Sequence, residues 1–428
     1  MTTSTSRPSR LGGGGKGARA DEILDVASRL FREMGYAATT ITDIATAVGV
    51  LPGSLYHHFA SKEDIALALL DNFAKELDSR GSTATRRYRA GDESAEHLLR
   101  SLTVDMCETG IRRAAAVRLR AYDAPPSVAS DRLTAAMHQG SRSAENAWRL
   151  TIEQLSTEHG GLAVDPRLLR FTFERLTLDA PQHHSQDSDP AEIAHGMCGL
   201  LLHGVATSAV DHRELETCAA YRTAEEFVAE SRAMRARAAN DPRSDILTAA
   251  RTEFARRGYA ATTIRDIARA ADVGMATVYR RVDSKEALLR EVVETYANRV
   301  DGAVNAVLNA GSSAAGTIVA LARVLLHITR EHRESYAIVN LGWTGRESEA
   351  SPVHPYFVGT KRRLRGFENL IDRAIRGGEW RSEVSTQDLA RHVRSVVWTP
   401  YHACGRTSER RANDFVRTVL LNGALRRN

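Results

Sequence analysis

Ile23, Leu24, Ala27, Leu30 and Phe31 fall at i, i+1, i+4, i+7 and i+8, spacings that a helix gathers onto one face. Gly35 stands where a left-handed residue can end that helix. Thr40 then offers a hydroxyl to the first amides of a second helix, and Asp43 at its third position reaches back, so a capping box is predicted. Ile44, Ala45 and Val48 form the buried face of this second helix, which stops at Gly49-Val50-Leu51. A third helix is predicted from Pro52, which has no amide hydrogen to lose at a first helical position, to about Phe59.

The same pattern returns later. Residues 23–63 and 246–286 align without a gap, residue 23 pairing with 246 at an offset of 223, and about half the positions are identical. Gly35/Gly258, Tyr36/Tyr259, Thr40/Thr263, Asp43/Asp266, Tyr56/Tyr279 and Lys62/Lys285 are among them. A period that long is a duplicated protein, because solenoid repeats are single supersecondary units of about 20–50 residues. Thr223-x-x-Glu226 predicts a last helix of the first copy over 223–239, broken by Asn240-Asp241-Pro242.

Elsewhere apolar residues recur at three and four, helix starts carry Asp165-Pro166, Asp189-Pro190 and Ser385-x-x-Asp388, and Gly377-Gly378 marks a stop. No period-two strand stands out, and the fold class is all-α. The expected organisation is a basic flexible tail over 1–19, a first helix-turn-helix domain over 20–67 and a first helical regulatory domain over 68–240. A second helix-turn-helix domain over 241–290 and a second regulatory domain over 291–428 follow.

Helix, three- or four-residue turn, helix is the form whose second helix enters the DNA major groove. In the first copy Ser54 is small, Leu55 and Phe59 can pack inward, and Tyr56, His57 and His58 project from the other faces. A tyrosine hydroxyl suits a phosphate, and Lys62 follows in the first turn of the next helix, where amides and a cation together can hold one. The second copy has Arg280 and Arg281 where the first has His57 and His58, and arginine can reach guanine or phosphate bidentately.

The runs Thr39-Thr40-Ile41-Thr42-Asp43-Ile44-Ala45, Gly53-Ser54-Leu55-Tyr56-His57-His58-Phe59 and Ser61-Lys62-Glu63, with their second-copy partners, resemble the DNA-binding region of the TetR (tetracycline-repressor) family. The resemblance covers about 45 residues in each copy. It implies three DNA-binding helices per unit, then a variable helical domain that binds a small ligand and supplies two dimerisation helices. The candidate DNA-contacting residues are Thr40, Pro52, Gly53, Ser54, Tyr56, His57, His58 and Lys62 in the first copy. In the second they are Thr263, Arg265, Gly274, Met275, Ala276, Thr277, Tyr279, Arg280, Arg281 and Lys285. Val282 stands where the family usually has an aromatic, as at Phe59.

Composition narrows the classes. The 428 residues are 43% hydrophobic and 26% charged, the balance of a chain that buries cores. A net charge of +5 permits a nucleic-acid partner without demonstrating one. No apolar run reaches the roughly 20 residues of a membrane helix, and the N-terminus has cations but no apolar core, so no membrane partner and a cytoplasmic location are expected. Arg7, Arg10, Lys16 and Arg19, around the Gly12–Gly15 run, read as a solubilising tail or an arm along phosphates. Cys107, Cys198, Cys218 and Cys404 are scattered singly, as buried or semi-buried small hydrophobes are, with a redox sensor as the alternative reading.

His183-His184 with Asp187 and Asp189 reads as a solvated loop before a helix starting near Pro190, in preference to a metal site. Trp148, Phe171, Phe173, Trp343, Tyr356, Phe357, Trp380 and Trp398 are core aromatics or pocket linings of the regulatory domains. No nucleophile elbow, P-loop, Rossmann glycine set or H-E-x-x-H is present, so no enzyme and no cofactor are expected. The helices over 193–210 and 389–397, each followed by a second at 223–239 and about 407–422, correspond to the family's dimerisation pair.

Double-stranded DNA and an unidentified small-molecule effector are thus the implied partners. One architecture is an intramolecular pseudo-dimer with two unequal heads; a homodimer of the fused chain with four heads is another. A ligand sensor or adaptor that has lost DNA binding is the competing function.

Overall fold

A computed structural model describes residues 16–36, 38–120, 130–182, 184–208, 210, 212–237, 242–340, 349, 351–402 and 407–426. Arg7, Arg10, Gly12–Gly15, His183, Trp343 and Cys404 lie outside the described residues. Among the described residues the chain is α-helical, with two isolated antiparallel bridges, Leu162 with Leu425 and Ala206 with Trp380, as its extended contacts.

The first head is α1 (Lys16–Met34), α2 (Ile41–Val48) and α3 (Pro52–Tyr56). The second is α13 (Pro242–Arg257), α14 (Ile264–Ala270) and α15 (Met275–Arg281). Their cores correspond residue for residue. Ile23, Ala27, Phe31, Ile44, Ala45 and Leu55 are buried in one, and Ile246, Ala250, Phe254, Ile267, Ala268 and Val278 in the other. Val282 is buried as well, so the aliphatic side chain joins the core at the aromatic's place.

Two boundaries differ from expectation. Helix α1 opens at Lys16, so residues 16–19 of the expected tail are helical, and Arg19 pairs with Glu22 one turn on. Helix α3 ends at Tyr56 with His57 as its cap, short of Phe59, which the chain reaches through a turn.

The first body continues with α4 (Lys62–Ala90), α5 (Ala95–Arg112), α6 (Ala114–Arg118), α7 (Asp131–His138), α8 (Arg142–Glu158), α9 (Pro166–Asp179) and α10 (Pro190–His203). The connection is α11 (His212–Thr217) and α12 (Ala219–Arg237). The second body is α16 (Lys285–Leu308), α17 (Ala314–Glu331), α18 (Arg333–Val339), α19 (His354–Arg376), α20 (Thr386–His402) and α21 (Glu409–Leu421). The expected aspartates, Asp165 and Asp189, cap α9 and α10 ahead of a first-position proline. The aromatics fill cores: Trp148 stacks on Phe173 with centroids 5.6 Å apart, Tyr296 on Tyr356 at 5.6 Å and Tyr336 on Trp398 at 5.5 Å.

Helix α12 departs from its expected role. It packs on α16 and α17 of the second body, whereas the expectation placed it with the dimerisation helices of the first copy. It also starts at Ala219, a turn before Thr223, because its first amides find other acceptors: Ala220 N–H donates to Ser312 Oγ at 2.9 Å and Tyr221 N–H to Cys218 Sγ at 3.4 Å. The helices that meet between units are α9 and α10 against α20 and α21.

That meeting is reciprocal at the level of the main chain. Val205 and Ala206 N–H donate to the carbonyls of Leu420 and Leu421 at 2.8 and 3.0 Å, while Ala424 and Leu425 N–H donate to Leu201 and Leu202 at 2.8 and 3.1 Å. Ala163 N–H donates to Ala424 O and Arg381 N–H to Val205 O, both at 2.8 Å. Each unit's last helix thus ends in a segment that hydrogen-bonds the other unit's. Gly204 (φ 65°) and Gly423 (φ 81°) make the crossing, and a Cβ on either would lie 2.4 Å from Leu421 O or 2.2 Å from Leu202 O.

Candidate nucleic-acid interface

The capping boxes form in both heads. The Thr40 hydroxyl accepts from Asp43 N–H at 3.1 Å while Asp43 Oδ2 accepts from Thr40 N–H at 2.8 Å; Thr263 and Asp266 repeat this at 3.2 and 3.1 Å. The Thr40 bonds hold the Asp43 carboxyl below its ordinary value, and Thr263, with Arg257 and Arg269 adding charge, draws Asp266 down to about 2. Helices α2 and α14 therefore start at fixed places. Arg257 Nη1 lies 3.0 Å from Asp266, a brace between α13 and α14 that Met34 cannot supply in the first head.

With α2 set, the turn at Gly49 (φ 77°) presents α3. Leu55 anchors it from beneath, and Ser54, Tyr56 and His57 face outward, with Pro52 and His58 partly covered. In the second head Val278 is the anchor, Ala276, Tyr279, Arg280 and Arg281 face outward, and Met275 and Thr277 are partly covered. Arg265 is exposed on α14. Tyr56 and Tyr279, at 53% and 64% exposure, are large rings left in solvent by a fold that buries most of the others.

Gly53 and Gly274 carry a further signal. Neither has a positive φ, and a Cβ on either would meet nothing within 4 Å, so nothing inside the protein requires glycine there. The open space in front of each backbone is room for a close approach from outside. Leu51, at 77% exposure beside Pro52, was not among the expected contacts. Its one sequence signal is an apolar residue in the turn ahead of the presented helix.

Lys62 and Lys285 sit differently from a solvent-facing phosphate cation. Lys62 Nζ donates to the carbonyls of Tyr36 at 2.7 Å and Thr39 at 2.8 Å and lies 4.4 Å from the Tyr36 ring centre. Lys285 does the same with Tyr259 and Thr262, each at 2.9 Å, under the Tyr259 ring at 4.4 Å. Burial lowers both amines from their ordinary value, against the pull of Asp43 in the case of Lys62. Both are partly buried and tie the start of α4 or α16 to the turn before α2 or α14.

Each head is also fastened to its body. Arg118 Nη1 on α6 donates to Arg32 O on α1 at 2.6 Å, and Glu334 on α18 accepts from Arg251 Nε and Thr252 Oγ1 on α13, both at 3.0 Å. These bonds tie α6 to α1 and α18 to α13. Of the other expected features, Asp189 is engaged with Ala191 N–H at 2.8 Å, and no metal-holding group of three or more His, Cys, Asp or Glu occurs among the described residues. No helix among them is long and apolar enough to cross a membrane.

The sequence model for "Bacterial regulatory proteins, tetR family" matches residues 23–69 and again 246–292. The HTH-type transcriptional repressor KstR2 of Rhodococcus jostii is 52% identical over 63 residues, 15% of this chain and 31% of that protein. The biofilm operon icaADBC HTH-type negative transcriptional regulator IcaR of Staphylococcus aureus is 51% identical over 45 residues, 10% of this chain and 24% of its own. The chain thus spans about a third or less of the length of these curated relatives. The solved structure of the ketosteroid transcriptional regulator KstR2 of Mycobacterium tuberculosis is 24% identical, covering 44% of this chain and 93% of its own, with a TM-score of 0.36. Each match runs from within the first helix of a head into the helix that follows the head, and the chain thus carries two domains of the tetR family of bacterial regulatory proteins, one in each half.

Proposed function

We propose that this protein is a sequence-specific DNA-binding transcriptional regulator, a ligand-responsive repressor whose two unequal heads act as a pair within one cytoplasmic chain. The observation that carries the reading is the pair of capped heads. Each presents an exposed tyrosine on a short helix and an open glycine at its start. The two bodies beneath them are joined through α9, α10, α20 and α21.

In this reading the phosphate backbone is met by Tyr56, Tyr279 and the helix amides, with Thr40 and Thr263 at the edges. Arg280 and Arg281, with Arg265, give the second head charge-assisted donors for guanine O6 and N7, while Leu51, Ser54, His57 and His58 give the first a more neutral surface. Tethering holds the second head at an effective concentration of roughly millimolar, so pairing does not depend on protein level. KstR2 and IcaR are named as repressors, which supports that sign of control here. An effector that prefers one arrangement of the bodies shifts the heads by its differential affinity for the two states, through Arg118 and Glu334.

Footprinting of the intact chain on its own promoter region tests this. Protection of two unlike half-sites about one helical turn apart is expected. Absence of protection there and across a random-sequence DNA selection would sink the reading and leave an adaptor.

A further inference from the structure

The two presented helices end differently. In the first head His57 N–H donates to Ser54 O at 3.4 Å and His58 N–H to Leu55 O at 2.9 Å, each three residues back. That is the tightened turn in which a helix runs out, and α3 closes at Tyr56. In the second head the counterparts of those histidines, Arg280 and Arg281, are the last two residues of α15 itself. Both are exposed, and the chain leaves the helix in an extended conformation at Val282.

A helix end leaves carbonyls without partners inside the helix. At the end of α15 one of them is taken by another element: Arg243 Nη1, in the first turn of α13, donates to Arg281 O at 2.9 Å. Nη2 of the same guanidinium donates to Glu291 Oε2 on α16, also at 2.9 Å. One planar group thus joins the first helix of the head, the end of its presented helix and the helix that follows, and it sets positive charge at a helix C-terminus, where charge of that sign is favoured. At the offset of 223 the first head has Ala20 in place of Arg243 and Ala68 in place of Glu291. Neither methyl can donate or accept, so the fork belongs to the head that carries the two arginines.

A phosphate asks only for a donor or a positive charge within reach, whereas a guanidinium that meets guanine O6 and N7 together has to arrive in the plane of the base. For Arg280 and Arg281 that direction is set by the backbone beneath them, which is the end that Arg243 holds. An exposed ion pair such as Arg243 with Glu291 adds little to global stability, so fastening the fold is a small part of what the fork can do.

We propose that Arg243 is a positioning residue of the second head: by holding the last carbonyl of α15 and the Glu291 carboxylate at once, it keeps Arg280 and Arg281 on a formed helix and so sets which bases that head accepts. The proposal rests on the DNA-binding reading of the heads.

The test uses the full chain with Arg243→Ala and Arg243→Lys. Without DNA, amide hydrogen exchange over residues 275–284 should be several-fold faster in Arg243→Ala, with residues 52–61 of the first head and the thermal midpoint unchanged. On DNA, affinity for the second half-site should fall about tenfold and the penalty for replacing its guanines should shrink, while the salt dependence and the choice of first half-site stay as they were. Arg243→Lys, a point charge that cannot hold both acceptors in one plane, should fall between. Unaltered exchange over 275–284 would overturn the proposal. So would a logarithmic salt dependence flatter by about one unit, which makes Arg243 a phosphate contact, or an equal loss at both half-sites with a lowered midpoint, which makes it structural. Failure of the unaltered chain to bind any DNA would instead sink the reading of the heads, and the proposal with it.

Discussion

Lys62 and Lys285 hold the same three partners in their two heads, two carbonyls and a tyrosine ring. An ammonium so placed acts first on the shape of the head. Lys62→Met should therefore lower the thermal midpoint and weaken DNA binding alike at low and high salt. A logarithmic salt dependence flatter by about one unit would instead place the ammonium on a phosphate. Glu174 on α9 makes a different prediction. Burial raises its carboxyl from 4.5 to about 7 despite the Arg170 pair, so the folded state holds this proton more tightly than the unfolded one. Stability from this group is present below 4.5 and lost as pH rises through about 7. Glu174→Gln should raise the midpoint at about pH 8 and leave it nearly unchanged at about pH 4; equal gains at both would remove ionisation as the cause.

Among the elements, the crossing at Gly204 and Gly423 is the most exacting. A side chain there meets both the left-handed φ, which costs about 1–2 kcal/mol, and a carbonyl of the opposite unit at 2.4 or 2.2 Å. Gly160 (φ 63°) has the same backbone sign with open space around it. In urea titrations Gly204→Ala and Gly423→Ala should each lose clearly more stability than Gly160→Ala; equal losses would mean the close crossing is not needed. Much of what surrounds these elements was legible beforehand. The capping boxes at Thr40 and Thr263, the aspartate-proline starts at 165 and 189 and the repeated core all follow from residues close in sequence. The start of α12 was not, because the acceptor that fixes it, Ser312, lies 92 residues away. Of the joint between units, the resemblance pointed to α10, α20 and α21, but not to α9 or to the main-chain hydrogen bonds, which leave no mark on side-chain pattern. In the heads, exposure of Tyr56 and Tyr279 followed from helical phase, whereas the inward posture of the two lysines needed the Tyr36 and Tyr259 turns to be in place.

For the molecule as a whole, the helices α9, α10, α20 and α21 are spent on one another inside a single chain. The expected mass in solution is therefore 46.9 kDa at all working concentrations, and a concentration-dependent doubling by sedimentation would point to four heads. The exchange of main-chain bonds around Gly204 and Gly423 also bears on descent. In an ordinary symmetric dimer one gene writes both partners, so any mutation alters both at once and a one-sided experiment is never available. Here part of the joint is main-chain hydrogen bonding that every residue type except proline can supply in full, so away from Gly204 and Gly423 those bonds tolerate drift in the side chains around them. Each copy can then accumulate changes alone, and His57-His58 beside Arg280-Arg281 is what such licence leaves behind.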